Sequence, residues 1–242
     1  MWSDDDLLWL KNNYPSLKQT KPNTIEGRLY FRMLRLNGDY IVNPSIEALE
    51  KSREKDYLYI FDSYQIRIEW EEGKIPIVFE TGKKLAAVAE RLNIQNFLDM
   101  HQFQETGALC LASPVQLRHA LPDGARLDIL IERFLIPYLF AQSHFAKTKE
   151  WIWDNLSHGY WGLIEWLGRQ SRYDDRETQE TYDLLWQNGK PENIAKALST
   201  RCRGYKPCSC GTGRKVRDCH PDRQLGLARI RGAIHRGVIK IK

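Results

Sequence analysis

Residues 64–79 read YQIRIEWEEGKIPIVF. Tyr64, Ile66, Ile68 and Trp70 alternate with polar residues, the period of a strand that buries one face. EEGK (71–74) has the composition of a turn, and Ile75 to Phe79 resumes the extended apolar character, so the two runs predict neighbouring antiparallel strands. Upstream, Tyr57 to Phe61 and Arg28 to Leu36 read the same way. Four strands with short connections predict an antiparallel meander.

Helical signals flank the meander. Ser3 precedes Asp4, Asp5 and Asp6, an N-cap with acids in the first turn, and predicts a helix ending near Tyr14-Pro15. LAAVAERLN (85–93) predicts a brief helix. Ser113-Pro114 opens another through Leu121, broken by PDG at 122–124. Leu127, Leu130, Ile131, Phe134, Leu135, Tyr138 and Leu139 follow the spacing of a core-facing helix, with Pro137 a kink. The tryptophans at 151, 153, 161 and 166 close this body, and SRYDDRETQET (171–181) marks a change of character before a linker helix over Tyr182 to Leu198. Helices and strands segregated along the chain define an α+β plan.

The 242 residues are 42% hydrophobic and 28% charged, enough for a real core. No apolar run reaches bilayer length and the opening MWSDDDLLWL is acidic where a secretion signal is basic, so the expectation is a cytosolic protein with no membrane segment. Residues 201–242 carry 12 Lys and Arg against Asp218 and Asp222, a local +10, which leaves −5 for residues 1–200 of a chain whose net charge is +5. Basicity concentrated in a tail predicts a partner-facing element, for nucleic acid or an acidic protein surface, against the plainer reading of a solvated terminus.

Four of five cysteines lie in that region. In CSCGTGRKVRDCH (208–220), Cys208, Cys210, Cys219 and His220 supply four soft or borderline ligands within thirteen positions, the set for a closed tetrahedral structural zinc (Zn2+) site. The segment resembles the SEC-C motif, C-x-C-G-S-G followed by a basic run and C with C or H, with Thr212 in place of the usual serine. The resemblance implies a zinc knuckle that docks its protein on a partner. Cys202 lies outside the pattern.

Cys110 stands alone in ETGALCLASP (105–114). An isolated cysteine is ordinarily a small buried hydrophobe. A loop cysteine beside a helix start also suits an acyl carrier, since a thiolate is both a good nucleophile and a good leaving group, and the helix terminus is expected to favour the thiolate modestly.

GALCL after a strand meander resembles the active-site context of ubiquitin-conjugating enzymes, with Gly107, Cys110 and Leu111 at the family's positions. With LYFRML, IPIVFETG, GALCLASPVQLRHAL, RLDILIERFLIPYLFAQSHF and LSHGYWGLIEWL, the chain is similar to the ubiquitin-conjugating-like proteins of bacterial anti-phage CBASS operons. The likeness implies an N-terminal helix, four-stranded meander and C-terminal helices over residues 1–172, a helical linker over 173–203, the knuckle over 204–222 and a basic tail over 223–242. It also implies that Cys110 forms a thioester with the C-terminus of a protein partner with a flexible tail, a cGAS-like nucleotidyltransferase in that setting, for transfer to an amine. An activating enzyme accompanies some such proteins. The family's His-Pro-Asn is absent; DMHQF puts His101 nearby and Gln102 at the asparagine's offset, where its amide can stabilise an oxyanion. His119, His144 and His158 are assigned to helix surfaces or caps. Two rivals remain: a non-catalytic binder of ubiquitin-like tails, and an adapter acting through the knuckle, whose tail, with no aromatic residue after Tyr205, offers nucleic acid only charge.

Overall fold

The computed structural model describes residues 2–52, 57–122, 126–152, 156–157, 159–188, 194–195, 198–199, 204–208 and 212–239. The chain divides into two compact units, Met1–Asp154 and Asn155–Lys242.

The first unit is α+β. Helix α1 (Asp4–Asn13) starts at Ser3, whose hydroxyl accepts the Asp6 amide, and ends at Tyr14. The sheet comprises β1 (Leu17–Lys21), β2 (Thr24–Leu36), β3 (Asp39–Val42), β4 (Tyr57–Glu69) and β5 (Ile77–Glu80), all pairs antiparallel. The sheet thus has five strands, where the sequence predicts four. β4 pairs with β2 along the whole of Thr24 to Leu36, so β1 and β3 share the opposite edge of β2, one at each end. The two runs read as separate strands, 57–61 and 64–70, are one strand. The polar Asp62 between them faces the core side, where Lys84 Nζ (2.5 Å) and Ser143 Oγ (2.7 Å) both donate to it.

Period two then fixes the core. Leu29, Phe31 and Met33 of β2 and Ile60, Tyr64, Ile66 and Ile68 of β4 are buried, while Tyr30 and Phe61 on the opposite face are exposed. A long helical segment covers the buried face. It begins as a π-helical stretch over Ile129–Leu135 and continues as α5 (Ile136–Thr148), burying Leu130, Ile131, Leu135, Leu139 and Phe140. Pro137 lacks an amide, and the wider turns just before it are where the expected kink is absorbed. Helices α2 (Ile46–Ser52), α3 (Lys84–Leu92) and α4 (Pro114–Ala120) complete the unit.

The second unit is helical: α6 (Tyr160–Arg169), α7 (Asp175–Asn188), a single turn α8 (Val216–Cys219) and α9 (Pro221–His235). Helices α6, α7 and α9 pack on one another. Residues 155–172, expected with the first body, therefore belong here, because the partners of α6 lie at 175–235; α7 is a packed member of the unit where a linker was expected. Two glycines set the α6–α9 crossing. A Cβ on Gly226 would lie 1.9 Å from the Ile164 carbonyl oxygen, and one on Gly168 would lie 2.0 Å from that of Asp222. Among the described residues no helix is long and apolar enough to cross a membrane.

Candidate functional site

Cys110 ends a small hairpin on the edge of the sheet. The 3₁₀ turn Phe97–Met100 closes at His101, whose φ of 51° is left-handed. From there the chain turns back on itself: Phe103 N–H donates to Ala108 O at 2.9 Å, Gln102 pairs with Leu109, and Cys110 N–H donates to His101 O at 2.8 Å. Gly107, at φ 73°, supplies the reversal that a side chain would strain. Leu109 N–H donates to Val78 O, and Ala108 bridges to Phe79, so the returning arm continues the sheet beyond β5. From the helical layer, Tyr138 Oη donates to the Met100 and His101 carbonyls (3.1 and 3.2 Å), and Gln142 Nε2 donates to Met100 O at 2.6 Å. Cys110 is thus tied to His101 by its own amide, and its neighbour Leu109 to β5.

Its side chain is half-buried, and burial pushes the thiol above its ordinary pKa. The expected preference for thiolate is overturned by this desolvation. The start of α4 is occupied by its own capping box: Ser113 Oγ accepts the Gln116 amide and Gln116 Oε1 accepts that of Ser113.

His101 and Gln102 are brought next to Cys110 by the hairpin. The His101 ring lies edge-on to Trp151 at 5.0 Å, and Trp151 stacks on Phe145 at 4.3 Å. Gln102 is only 8% exposed and sits opposite buried Leu109. Tyr138 and Gln142 carry no motif; only the helical period, which puts Tyr138 on the core face, hints at their support of this loop. His144 Nδ1 lies 2.9 Å from the Glu150 carbonyl oxygen at the end of α5, and His119 sits in the last turn of α4.

In the second unit, residues 204–208 and 214–217 form another hairpin. Cys208 N–H donates to Arg214 O (2.7 Å), Val216 N–H to Lys206 O (3.0 Å) and Arg217 N–H to Gly204 O (3.0 Å). Cys208, Cys219 and His220 are thereby gathered with their ligand atoms all within 4.8 Å of one another, and Cys208 Sγ lies 3.2 Å from His220 Nδ1. Tetrahedral zinc bonds imply donor separations of roughly 3.5–3.8 Å, so small side-chain adjustments suffice and the group can hold a metal ion. Cys210, Cys202 and His158 lie outside the described residues.

Beneath the cluster is Glu165 of α6, 1% exposed. Its Oε1 accepts Arg223 Nε at 2.5 Å and Ser157 Oγ at 2.8 Å, and its Oε2 accepts the Ser157 amide at 2.7 Å. Arg223 Nη1 reaches Cys208 Sγ at 3.8 Å, and its guanidinium lies 4.9 Å from the Trp161 ring centroid. Neither Glu165 nor Arg223 carried a sequence signal, since a lone acid in an apolar tryptophan-rich helix and one arginine among twelve cations look like surface charge.

Several arginines of the basic segment are engaged within their own unit. Arg229 donates to the Leu167 and Gln170 carbonyls at the end of α6, Arg231 to Leu198 O at 2.8 Å, and Arg236 pairs with Asp175 at 2.8 Å. Ile230 of α9 is fully buried.

No family model matches the chain, and no curated protein or solved structure does either.

Proposed function

We propose that the first unit is a ubiquitin-conjugating-like acyl carrier, in which the Cys110 thiol takes the C-terminal acyl group of a protein partner as a thioester and passes it to an amine. The observation that carries this reading is the mounting of Cys110: a half-buried thiol fixed at the end of a hairpin on the sheet edge. A structural cysteine needs no such mounting, and a non-catalytic tail binder needs no thiol there. Loading exchanges the thiol proton and the partner's activated leaving group for the thioester; transfer breaks the C–S bond as the amine attacks. A raised thiol pKa suits a carrier that stays inert until a partner docks. The oxyanion role for Gln102 requires its amide to turn out of the burial it has here, whereas His101 serves by holding the hairpin against Trp151. The partner class is a protein with a flexible C-terminal tail, a cGAS-like nucleotidyltransferase on the resemblance to anti-phage systems, with activation supplied by another protein. Non-reducing electrophoresis of cells carrying the full chain tests this: wild type gives a thiol-sensitive adduct, Cys110→Ser a more stable oxyester and Cys110→Ala none. An adduct persisting in Cys110→Ala would sink the reading.

We also propose that the second unit holds one structural zinc ion through Cys208, Cys210, Cys219 and His220. The gathered donors support it, and four protein ligands leave no position for catalysis. The ion supplies a rigid cross-link between the hairpin and α9, and the unit serves as the docking element. Metal analysis should find one zinc per chain, and a large loss in Cys208→Ser; full occupancy in that variant would exclude the assignment.

A further inference from the structure

Resting on the metal reading of the Cys208, Cys219 and His220 cluster, we infer that Glu165 is the positioning carboxylate of that site, orienting the His220 ring from α6 so that metal affinity depends on the helix packing of the second unit. The imidazole stands between two partners. Its Nδ1 is 3.2 Å from Cys208 Sγ, inside the donor cluster, while its Nε2 is 3.7 Å from Glu165 Oε1, just beyond a hydrogen bond. A metal-bound histidine is held in one tautomer when its other ring nitrogen donates to a carboxylate, and that outer partner commonly sets 10- to 100-fold in affinity. Here the carboxylate is already fixed in place. Ser157 donates to it twice and Arg223 once, and the side chain is buried.

Arg223 joins the same arrangement to the sulfur side. Its guanidinium bridges Glu165 Oε1 (2.5 Å) and Cys208 Sγ (3.8 Å), so one cation faces both the buried carboxylate and a donor that is anionic when it ligates. Glu165 and Arg223 are thus partners of the ion's ligands, although neither is a ligand. The site is consequently built from both ends of the unit: donors from 208–220 and their orienting groups from α6 and α9.

The test is competition of the full-length chain against a chromophoric zinc chelator, with cobalt substitution to read the ligand geometry. Glu165→Gln keeps the size of the side chain while removing its charge and one acceptor oxygen, and should weaken metal binding 10- to 100-fold. Arg169→Gln, which removes the 2.8 Å link to Asp222 at the same α6–α9 crossing without reaching the cluster, should change affinity less than twofold. The decisive comparison places Glu165→Gln in a His220→Cys background, where a thiolate ligand has no second nitrogen to orient, and there the substitution should cost nothing further. Equal losses in both backgrounds, or an unchanged affinity in the single variant, would overturn the inference while leaving the metal site standing; a wild-type chain that binds no metal would overturn the site itself. Should Glu165→Gln fail to fold, Glu165→Asp, which keeps the charge and withdraws it by one methylene, is read in the same way with the same outcomes.

Discussion

At Cys110, burial governs how the thiol titrates. A free thiol is already mostly protonated at neutral pH, and burial shifts Cys110 further in the same direction, while the start of α4 is occupied by Ser113 and Gln116. Alkylation proceeds through the thiolate, so raising the pKa lowers its fraction at every pH below that value. Iodoacetamide labelling of Cys110, followed by peptide mass spectrometry, should be slower at pH 7 than for a free thiol, and its rate should still be climbing where a free thiol has levelled off. A plateau below the free-thiol pKa would mean that an activating group has been overlooked. That Cys208, Cys219 and His220 come together was legible from their spacing. The groups that support this cluster and the Cys110 loop were not: Tyr138 and Gln142 reach the loop from about forty positions away in the chain, and Glu165 is some fifty residues from the knuckle's ligands, so no local pattern announces them.

At the scale of elements, period and caps gave the helices well. α1 and α4 start and stop within a residue or two of their sequence signals, since capping chemistry is local. Strands fared less well. β1 and β3 are short, mostly exposed edge pieces with little apolar pattern to read, and β4 was split at Asp62 because its partners Lys84 and Ser143 are distant in sequence. Glycine roles in α9 were also hidden. Gly226 reads as a helix weakener, yet it is the point where α9 meets the α6 backbone. Replacing it by alanine gains about 1 kcal/mol of helix propensity, but the new methyl group meets a backbone carbonyl that cannot rotate away, and overpacking of that kind costs about 1–3 kcal/mol or more. The clash wins: Gly226→Ala should lower the unfolding midpoint of the second unit. Gly232→Ala should raise it, through a gain of about 1 kcal/mol in helix stability, because its Cβ meets only the flexible end of Arg236 at 3.3 Å. Denaturant titrations of the two variants, followed by the fluorescence of Trp161 and Trp166, check both signs; a stabilised Gly226→Ala would show that the crossing is looser than described.

For the whole molecule, composition was a good guide to class and a poor guide to boundaries. A change in polarity at 171–181 suggested where the first body stops, but α6 is joined to α9 by contacts that skip over that stretch, and only the three-dimensional packing shows it. The +10 of residues 201–242 was equally visible, and equally open: charge counts do not reveal that Arg223, Arg229, Arg231 and Arg236 are turned to carbonyls and carboxylates of their own unit. The same pairing has a consequence for how the protein is made. Glu165 and Arg223 are separated by 58 residues, so at translation speeds of about 5–20 residues per second α6 waits roughly 3–12 s for α9 to be synthesised. During that interval the Glu165 carboxylate lacks its Arg223 partner, and the apolar face of α6, with Leu163, Ile164 and Leu167, has only α7 to pack on. The second unit therefore closes fully only once α9 has left the ribosome.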